Sequence, residues 1–297
     1  MSSSVQDIYS FFEFFKKYKS YESAMEKKYL EGTHDTSCDS YLSDFQNLGT
    51  ERANDICVKF KILYNLIIST KTSPNSKSLD DIDFAYLNYW LNAMSRSTTI
   101  SNKLTVEEFQ KSVGNIELEF ANVMFDGKFY DIEEDDFETM ELLDYLHLNN
   151  GEIYSKIIKI TKEDKIICFP YVQELIQKYK KGIIKCPLDI TNFCKALKYF
   201  KGEYENIYFG EFGISKNCID GDRIQLPTYY DVSLEVRKNT IFTPFGQWVR
   251  AKIGKNKETQ NNLYGENDSS LLNTSDKLNI DFDEDPYRIS YESMQNI

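Results

Sequence analysis

The sequence predicts an all-α protein, an irregular multi-helix bundle followed by a disordered Asn/Asp-rich carboxyl-terminal tail. Three observations predict it. Prolines number six in 297 residues, with none before Pro74 and none between Pro74 and Pro170. An interior proline costs a helix about 3 kcal/mol, so these stretches are open to long helices. Apolar residues recur three and four positions apart in several windows, which is the period of a helix face. No run alternates apolar and polar residues between hairpin turns, as a half-exposed sheet requires. Hydrophobic residues at 41% and aromatics at 14% supply a packed core, which sets wholesale disorder aside. The length fits one large domain, or one domain with a tail.

The elements follow in chain order. Asp7–Lys28 reads as a helix with Ile8, Phe11, Phe12, Phe15 and Tyr18 toward the core. Ile56, Phe60, Leu63 and Ile67 mark a second, its stripe widened by Cys57, Tyr64 and Ile68. Ile82, Ala85, Tyr86, Tyr89, Trp90, Ala93 and Met94 mark a third. Val106–Met124 is a fourth, opened by Thr105 and Glu108 at the spacing of a capping box. Phe137–Leu148, Glu152–Thr161 and Tyr171–Lys180 follow as separate helices, then one carrying Ile190, Phe193, Cys194, Leu197 and Phe200. Tyr208–Gly213 contains two glycines at a spacing unsuited to a phosphate cradle and reads as a turn.

The carboxyl end differs in kind. Asn261–Ser275 is mostly Asn, Ser, Asp and Thr, and Asp281–Asp285 is almost all acidic. Such stretches bury too little apolar surface to offset their ordering entropy. Ahead of them, Thr243–Lys257 joins an aromatic–glycine turn to a basic patch. The helical domain is placed at 1–235, and the basic segment with its tail at 236–297.

Composition and motifs exclude several functions. A net charge of −12 is the wrong sign for a nucleic-acid surface, which needs clustered Lys and Arg. The amino-terminal residues lack the basic start and apolar run of a standard secretory signal. The apolar run Ile62–Ile68 falls far short of the roughly 20 residues that cross a bilayer. His34 and His147 belong to no metal or nucleophile motif, and no Walker, GxGxxG, GxSxG or HExxH string occurs. The reading is therefore non-enzymatic, with no cofactor and no metal. An acidic block runs through Asp131, Glu133, Glu134, Asp135, Asp136, Glu138, Glu141 and Asp144. It lacks the alternation and glycine of a calcium loop and reads as a solvated approach to an acid-rich helix start. Cys38, Cys57, Cys168, Cys186, Cys194 and Cys218 lie too far apart for the paired ligands of a zinc site. Two readings of them stand: reduced core residues, with Cys57 and Cys194 on apolar helix faces, or bridges of undetermined connectivity.

Several strings occur together in a set order. They are Tyr86–Leu91 (YLNYWL), Leu143–Ile153 (LDYLHLNNGEI), Cys168–Tyr179 (CFPYVQELIQKY), Cys186 with Cys194, Phe242–Lys252 (FTPFGQWVRAK) and Tyr287–Tyr291 (YRISY). As an ordered set spanning nearly the whole chain, they resemble the Plasmodium interspersed repeat family, the PIR or VIR-type variant antigens of malaria parasites. Tyr86, Leu87, Tyr89, Trp90 and Leu91 are its motif core here. Pro244, Phe245, Gly246, Trp248, Arg250 and Lys252 match its juxtamembrane segment. The resemblance implies a helical, cysteine-bridged ectodomain exported to the infected red cell, without need of a standard signal peptide. It implies antigenic variation, immune evasion and, for some members, adhesion, with a host receptor or antibody as partner. Bridging of the six cysteines follows from that exported setting.

The chain departs from the family pattern in three places. A cysteine common just before the YLNYW string is replaced here by Ile82, Asp83 and Phe84. Another, common within Tyr171–Tyr179, is missing. Where the family carries a spanning helix, this chain has Tyr229–Thr240, YYDVSLEVRKNT. Each Asp, Lys or Arg there would cost about 2.5–3.5 kcal/mol at a bilayer centre, so membrane association is expected from the family without a transmembrane helix in this sequence. Lys77–Asp81 (KSLDD) loosely resembles the parasite export pentamer and reads as a loop. The alternative function is a soluble intracellular helical scaffold that holds a basic partner through the acidic block.

Overall fold

The computed structural model describes residues 7–34, 38, 47–48, 51–71, 78–96, 104–116, 127–161 and 164–242. By its packing the chain divides at Val232, with Met1–Val232 one unit and Ser233–Ile297 another. The fold is all-α: eight α-helices are described, with short 3-10 turns and one minimal ribbon.

The chain enters through a 3-10 turn, Ser10–Phe14, whose Phe11 and Phe12 are buried. It continues as α1, Phe15–Glu31. This helix outruns its expected end at Lys28 and closes at Gly32, which takes φ +61°. The Thr33 amide there bonds the Lys28 carbonyl and the Gly32 amide that of Tyr29, a left-handed ending that glycine adopts without strain. A two-residue antiparallel pair, Asn47–Leu48 with Glu51–Arg52, precedes α2, Ala53–Ser69. Helix α3 spans Asp81–Arg96. It opens on reciprocal bonds in which the Asp83 amide donates to Asp80 Oδ1 and the Asp80 amide to Asp83 Oδ2, both at 3.0 Å.

Helix α4, Val106–Ile116, begins with the expected capping box. The Thr105 amide donates to Glu108 Oε2 at 2.8 Å and the Glu108 amide to Thr105 Oγ1 at 3.1 Å. The remainder of the expected helix, to Met124, lies outside the described residues.

Helix α5 corrects an expectation. Instead of two helices it is one of 27 residues, Glu134–Ile160, running straight through Asn149, Asn150 and Gly151. A glycine inside a helix costs about 1 kcal/mol. Packing of α5 against both α6, Phe169–Ile183, and α7, Asn192–Phe209, outweighs that cost. Asn150 is itself buried in the helix, while Asn149 bonds back to the Tyr145 carbonyl at 2.8 Å.

The turn expected at Tyr208–Gly213 is present: α7 stops at Phe209, and a Cβ on Gly213 would lie 2.4 Å from the Tyr208 carbonyl oxygen. No other residue fits that approach without moving the backbone. Helix α8, Tyr229–Phe242, starts with Thr228 and Asp231 bonded reciprocally. Among the described residues no helix is long and apolar enough to cross a membrane. The segment from Thr243 onward, with Pro244, Phe245, Gly246, Trp248, Arg250, Lys252 and the Asn/Asp-rich stretch, lies outside the described residues.

The core is markedly aromatic. Phe11 stacks on Phe12 with centroids 4.2 Å apart and on Tyr89 at 5.4 Å, and Tyr18 stacks on Tyr86 at 4.5 Å. Phe11, Phe12, Phe60 and Phe200 are each at most 1% exposed, and complete burial of such a side chain contributes roughly 1.5–3 kcal/mol.

All six cysteines are bridged: Cys38–Cys57, Cys168–Cys218 and Cys186–Cys194. The reading of Cys57 and Cys194 as reduced core residues therefore gives way to the bridged one. Both do face the core, as their spacing indicated, but each meets a second sulfur there. Cys168–Cys218 joins the start of α6 to the turn after α7. A lone parallel bridge between Ile166 and Cys218 runs alongside it, and Asp220 caps α6 by accepting the Cys168 and Phe169 amides at 2.7 and 3.1 Å.

Candidate functional site

The motif Tyr86–Leu91 lies in the middle of α3 and is buried throughout. Leu87 and Leu91 are fully enclosed, and Trp90 is 2% exposed. Tyr86 donates to Glu22 Oε2 at 3.1 Å, which ties α3 to α1, and Tyr89 donates to Asp144 Oδ2 at 2.9 Å, which ties it to α5. These five residues hold the bundle together and present nothing to solvent.

Two asparagines on the same helix, Asn88 and Asn92, have a different task. The Asn88 Oδ1 accepts the Tyr130 amide at 3.0 Å, and the Asn92 Oδ1 accepts the Ile132 amide at 2.9 Å. The Asn92 Nδ2 donates to the Tyr130 carbonyl at 2.9 Å. Gln110 on α4 accepts the Phe129 amide at 2.8 Å. Buried side-chain amides thus replace the partners that a strand or helix would have given this loop backbone. Sequence reasoning did not single out these asparagines. The signal was their four-residue spacing inside an otherwise apolar stripe, where polar side chains need buried partners.

The loop so held forms one wall of a groove of about 580 Å³. Tyr130, Asp131 and Glu133 come from the loop, Asp136 from the first turn of α5, Phe193 from the head of α7 and Tyr9 from the amino-terminal turn. The Tyr9 and Phe193 rings are 6.0 Å apart and tilted. The Tyr9 hydroxyl donates to Asp136 Oδ1 at 2.8 Å and lies 2.8 Å from Thr139 Oγ1. Burial pushes its pKa well above the usual tyrosine range, and the Asp136 carboxylate adds to the rise.

The acidic block is divided by the fold. Glu134, Asp135 and Asp136 occupy the first turn of α5, where they complement the positive helix end. Asp131 Oδ1 accepts the Val106 amide at 3.2 Å. Glu134 pairs with Arg96, whose guanidinium also reaches the Ile132 carbonyl and stacks 4.3 Å from the Phe137 ring. Asp144 lies farther along, with its side chain 15% exposed. Four of the eight acids therefore have partners inside the fold.

Burial raises the Asp144 carboxyl above the usual carboxylate range, and the Lys19 ammonium and Tyr89 hydroxyl offset this in part. A carboxyl whose pKa is higher folded than unfolded binds its proton more tightly in the fold, so it withdraws stability as pH rises. Asp144→Asn removes that penalty and keeps an acceptor for Tyr89. The variant is expected to melt above the parent at pH 7, with the gain fading below about pH 4, where the unfolded carboxyl is also protonated. Thermal melts at the two pH values check this, and an unchanged or lower melting temperature at pH 7 contradicts it.

His147 is a core residue. Its side chain is 1% exposed, with Nδ1 3.3 Å from Glu203 Oε2 and its ring 5.1 Å from both Phe15 and Phe200. The hydrogen bond to His147 holds the Glu203 carboxyl below the usual range. Among the described residues no nucleophile bonds the imidazole, whose Nε2 is buried without a hydrogen-bond partner. His34 rests 6.1 Å from the Tyr29 ring at the end of α1. Among the described residues no group of three or more His, Cys, Asp or Glu side chains is placed to hold a metal ion.

Large apolar side chains are exposed at the bridged turns. Leu188 and Ile190, 65% and 73% exposed, lie between Cys186 and Cys194, and Phe212 is 91% exposed in the turn after α7. Compared with family models, with curated proteins and with solved structures, the chain returns no match.

Proposed function

We propose that this chain is a PIR-type variant antigen, exported to the malaria-infected red cell, that works by contact with a host receptor or antibody rather than by catalysis. One observation carries the reading: all six cysteines stand in bridges. Bridges of this kind persist in oxidising surroundings and are rare where glutathione keeps thiols reduced. The ordered motif strings add to it. Within the Ile82–Phe84 stretch, where the family often has a cysteine, Asp83 is fully buried and bonded to the Tyr18 hydroxyl at 2.8 Å and to Lys71.

The reading assigns contact to exposed turns carried on a crosslinked frame. Large side chains such as Leu188, Ile190 and Phe212 supply apolar area there, and loops on a rigid scaffold tolerate substitution better than its core. The intracellular setting of the scaffold alternative is disfavoured by the same three bridges, which are rare where thiols are kept reduced.

Staining infected cells before and after permeabilisation tests location. The expected result is signal at the host cell, and signal confined to the parasite interior overturns the reading. Alkylating the native protein under denaturing, non-reducing conditions tests the bridges, and six reactive thiols would remove the support they give.

A further inference from the structure

We propose that the groove between the 127–133 loop and the head of α7 receives the cationic side chain of a partner protein, an arginine guanidinium or lysine ammonium. An apolar neighbour of that side chain would rest on Leu188 and Ile190. Charge complementarity decides the sign of the occupant. Two helix starts face the groove, and each carries about half a positive charge. Three lining carboxylates, Asp131, Glu133 and Asp136, outweigh them by about two charges. Among the described residues no Lys or Arg lines the groove. Arg96 is turned to Glu134 and the Ile132 carbonyl, and Lys128 to Asp81 at 2.8 Å. An anion is therefore repelled despite the helix ends.

The walls suit an organic cation better than a metal ion. Tyr9, Tyr130 and Phe193 give aromatic surface beside the carboxylates, and a cation over an aromatic ring gains about 0.5–1 kcal/mol at an exposed site and more when desolvated. Asp131 and Asp136 each spend one oxygen inside the fold and retain a second. The volume of about 580 Å³ falls within the range of roughly 300–1,000 Å³ typical of ligand clefts. That is room for a charged side chain with its neighbours. The wall is also preformed. Asn88, Asn92 and Gln110 hold its backbone by four hydrogen bonds, so little ordering cost is left to binding. Ile190 directly precedes the lining residues Thr191, Asn192 and Phe193, and Leu188 lies two positions before Ile190, all within the Cys186–Cys194 bridge.

The inference names a partner chemistry and does not depend on display at the red cell. It is tested on the purified, bridged full chain with the blocked tripeptide acetyl-Leu-Arg-Leu-amide as probe, followed by calorimetry or amide shifts. Saturable binding is expected, about tenfold weaker for the neutral citrulline counterpart, which keeps the shape and loses the charge. Glu133→Gln, a change at an exposed position, is expected to weaken the arginine peptide about three- to fivefold. Glu152→Gln, elsewhere on α5, leaves binding unchanged. Failure of the arginine peptide to saturate, equal binding of the citrulline peptide, or indifference to Glu133→Gln overturns the proposal. So does displacement by inorganic phosphate, which would make this an anion site, or binding of tetramethylammonium without the peptide, which would make it a small-molecule site.

Discussion

Replacing Cys168 and Cys218 together by alanine is expected to lower the stability of the bundle by about 4 kcal/mol, the largest loss from any one bridge. The bridge spans 50 residues, and closing a loop of that length removes about 4 kcal/mol of chain entropy from the unfolded state. The other two span 19 and 8 residues, for which the same relation gives about 3 and 2.5 kcal/mol. The order follows from loop length and not from burial, since all six cysteines are at most 9% exposed. For a domain of this size, 4 kcal/mol corresponds to a fall of roughly 8–16 °C in melting temperature. Denaturant titrations of the three double-alanine variants, without reductant, check the ranking. A larger loss from the Cys186/Cys194 pair would show that the native turn, and not the unfolded chain, carries the effect.

Asn92→Ala is expected to cost about 2–4 kcal/mol, more than its few side-chain atoms would suggest. The substitution leaves the Ile132 amide and the Tyr130 carbonyl without their partners at 2.9 Å each. A buried polar group left unpaired costs about 1–3 kcal/mol. The effect should be local as well as global. The Ile132 amide loses its protection against hydrogen exchange before the amides of α3 do, and the arginine peptide binds more weakly because the groove wall is no longer preformed. Unchanged exchange at Ile132 would refute the assignment of this asparagine as the tie between α3 and the loop.

Much of the fold was legible because helix periodicity is local. The stripes Ile56–Ile67 and Ile82–Met94 and the pair Thr105/Glu108 became α2, α3 and the start of α4 within a residue or a few. The unbroken α5 was not legible. Asn-Asn-Gly is a poor helix sequence by itself, and contact with α6 and α7 overrides it. The groove was legible in part. Its carboxylates belong to the acidic block, but Tyr9 and Phe193 come from opposite ends of the bundle in sequence and meet at 6.0 Å. Asn88 and Asn92 were visible as polar breaks in an apolar helix, while their partners lie about 40 residues on.

The amino-acid sequence by itself determined the all-α class, the helix faces and the reciprocal caps that open α3, α4 and α8, because each depends on residues within four positions of one another. Tertiary structure decided which sulfurs pair, which of the eight acids are spent inside and which line the groove. Those outcomes depend on distances between segments that only packing brings together, and no local period encodes them.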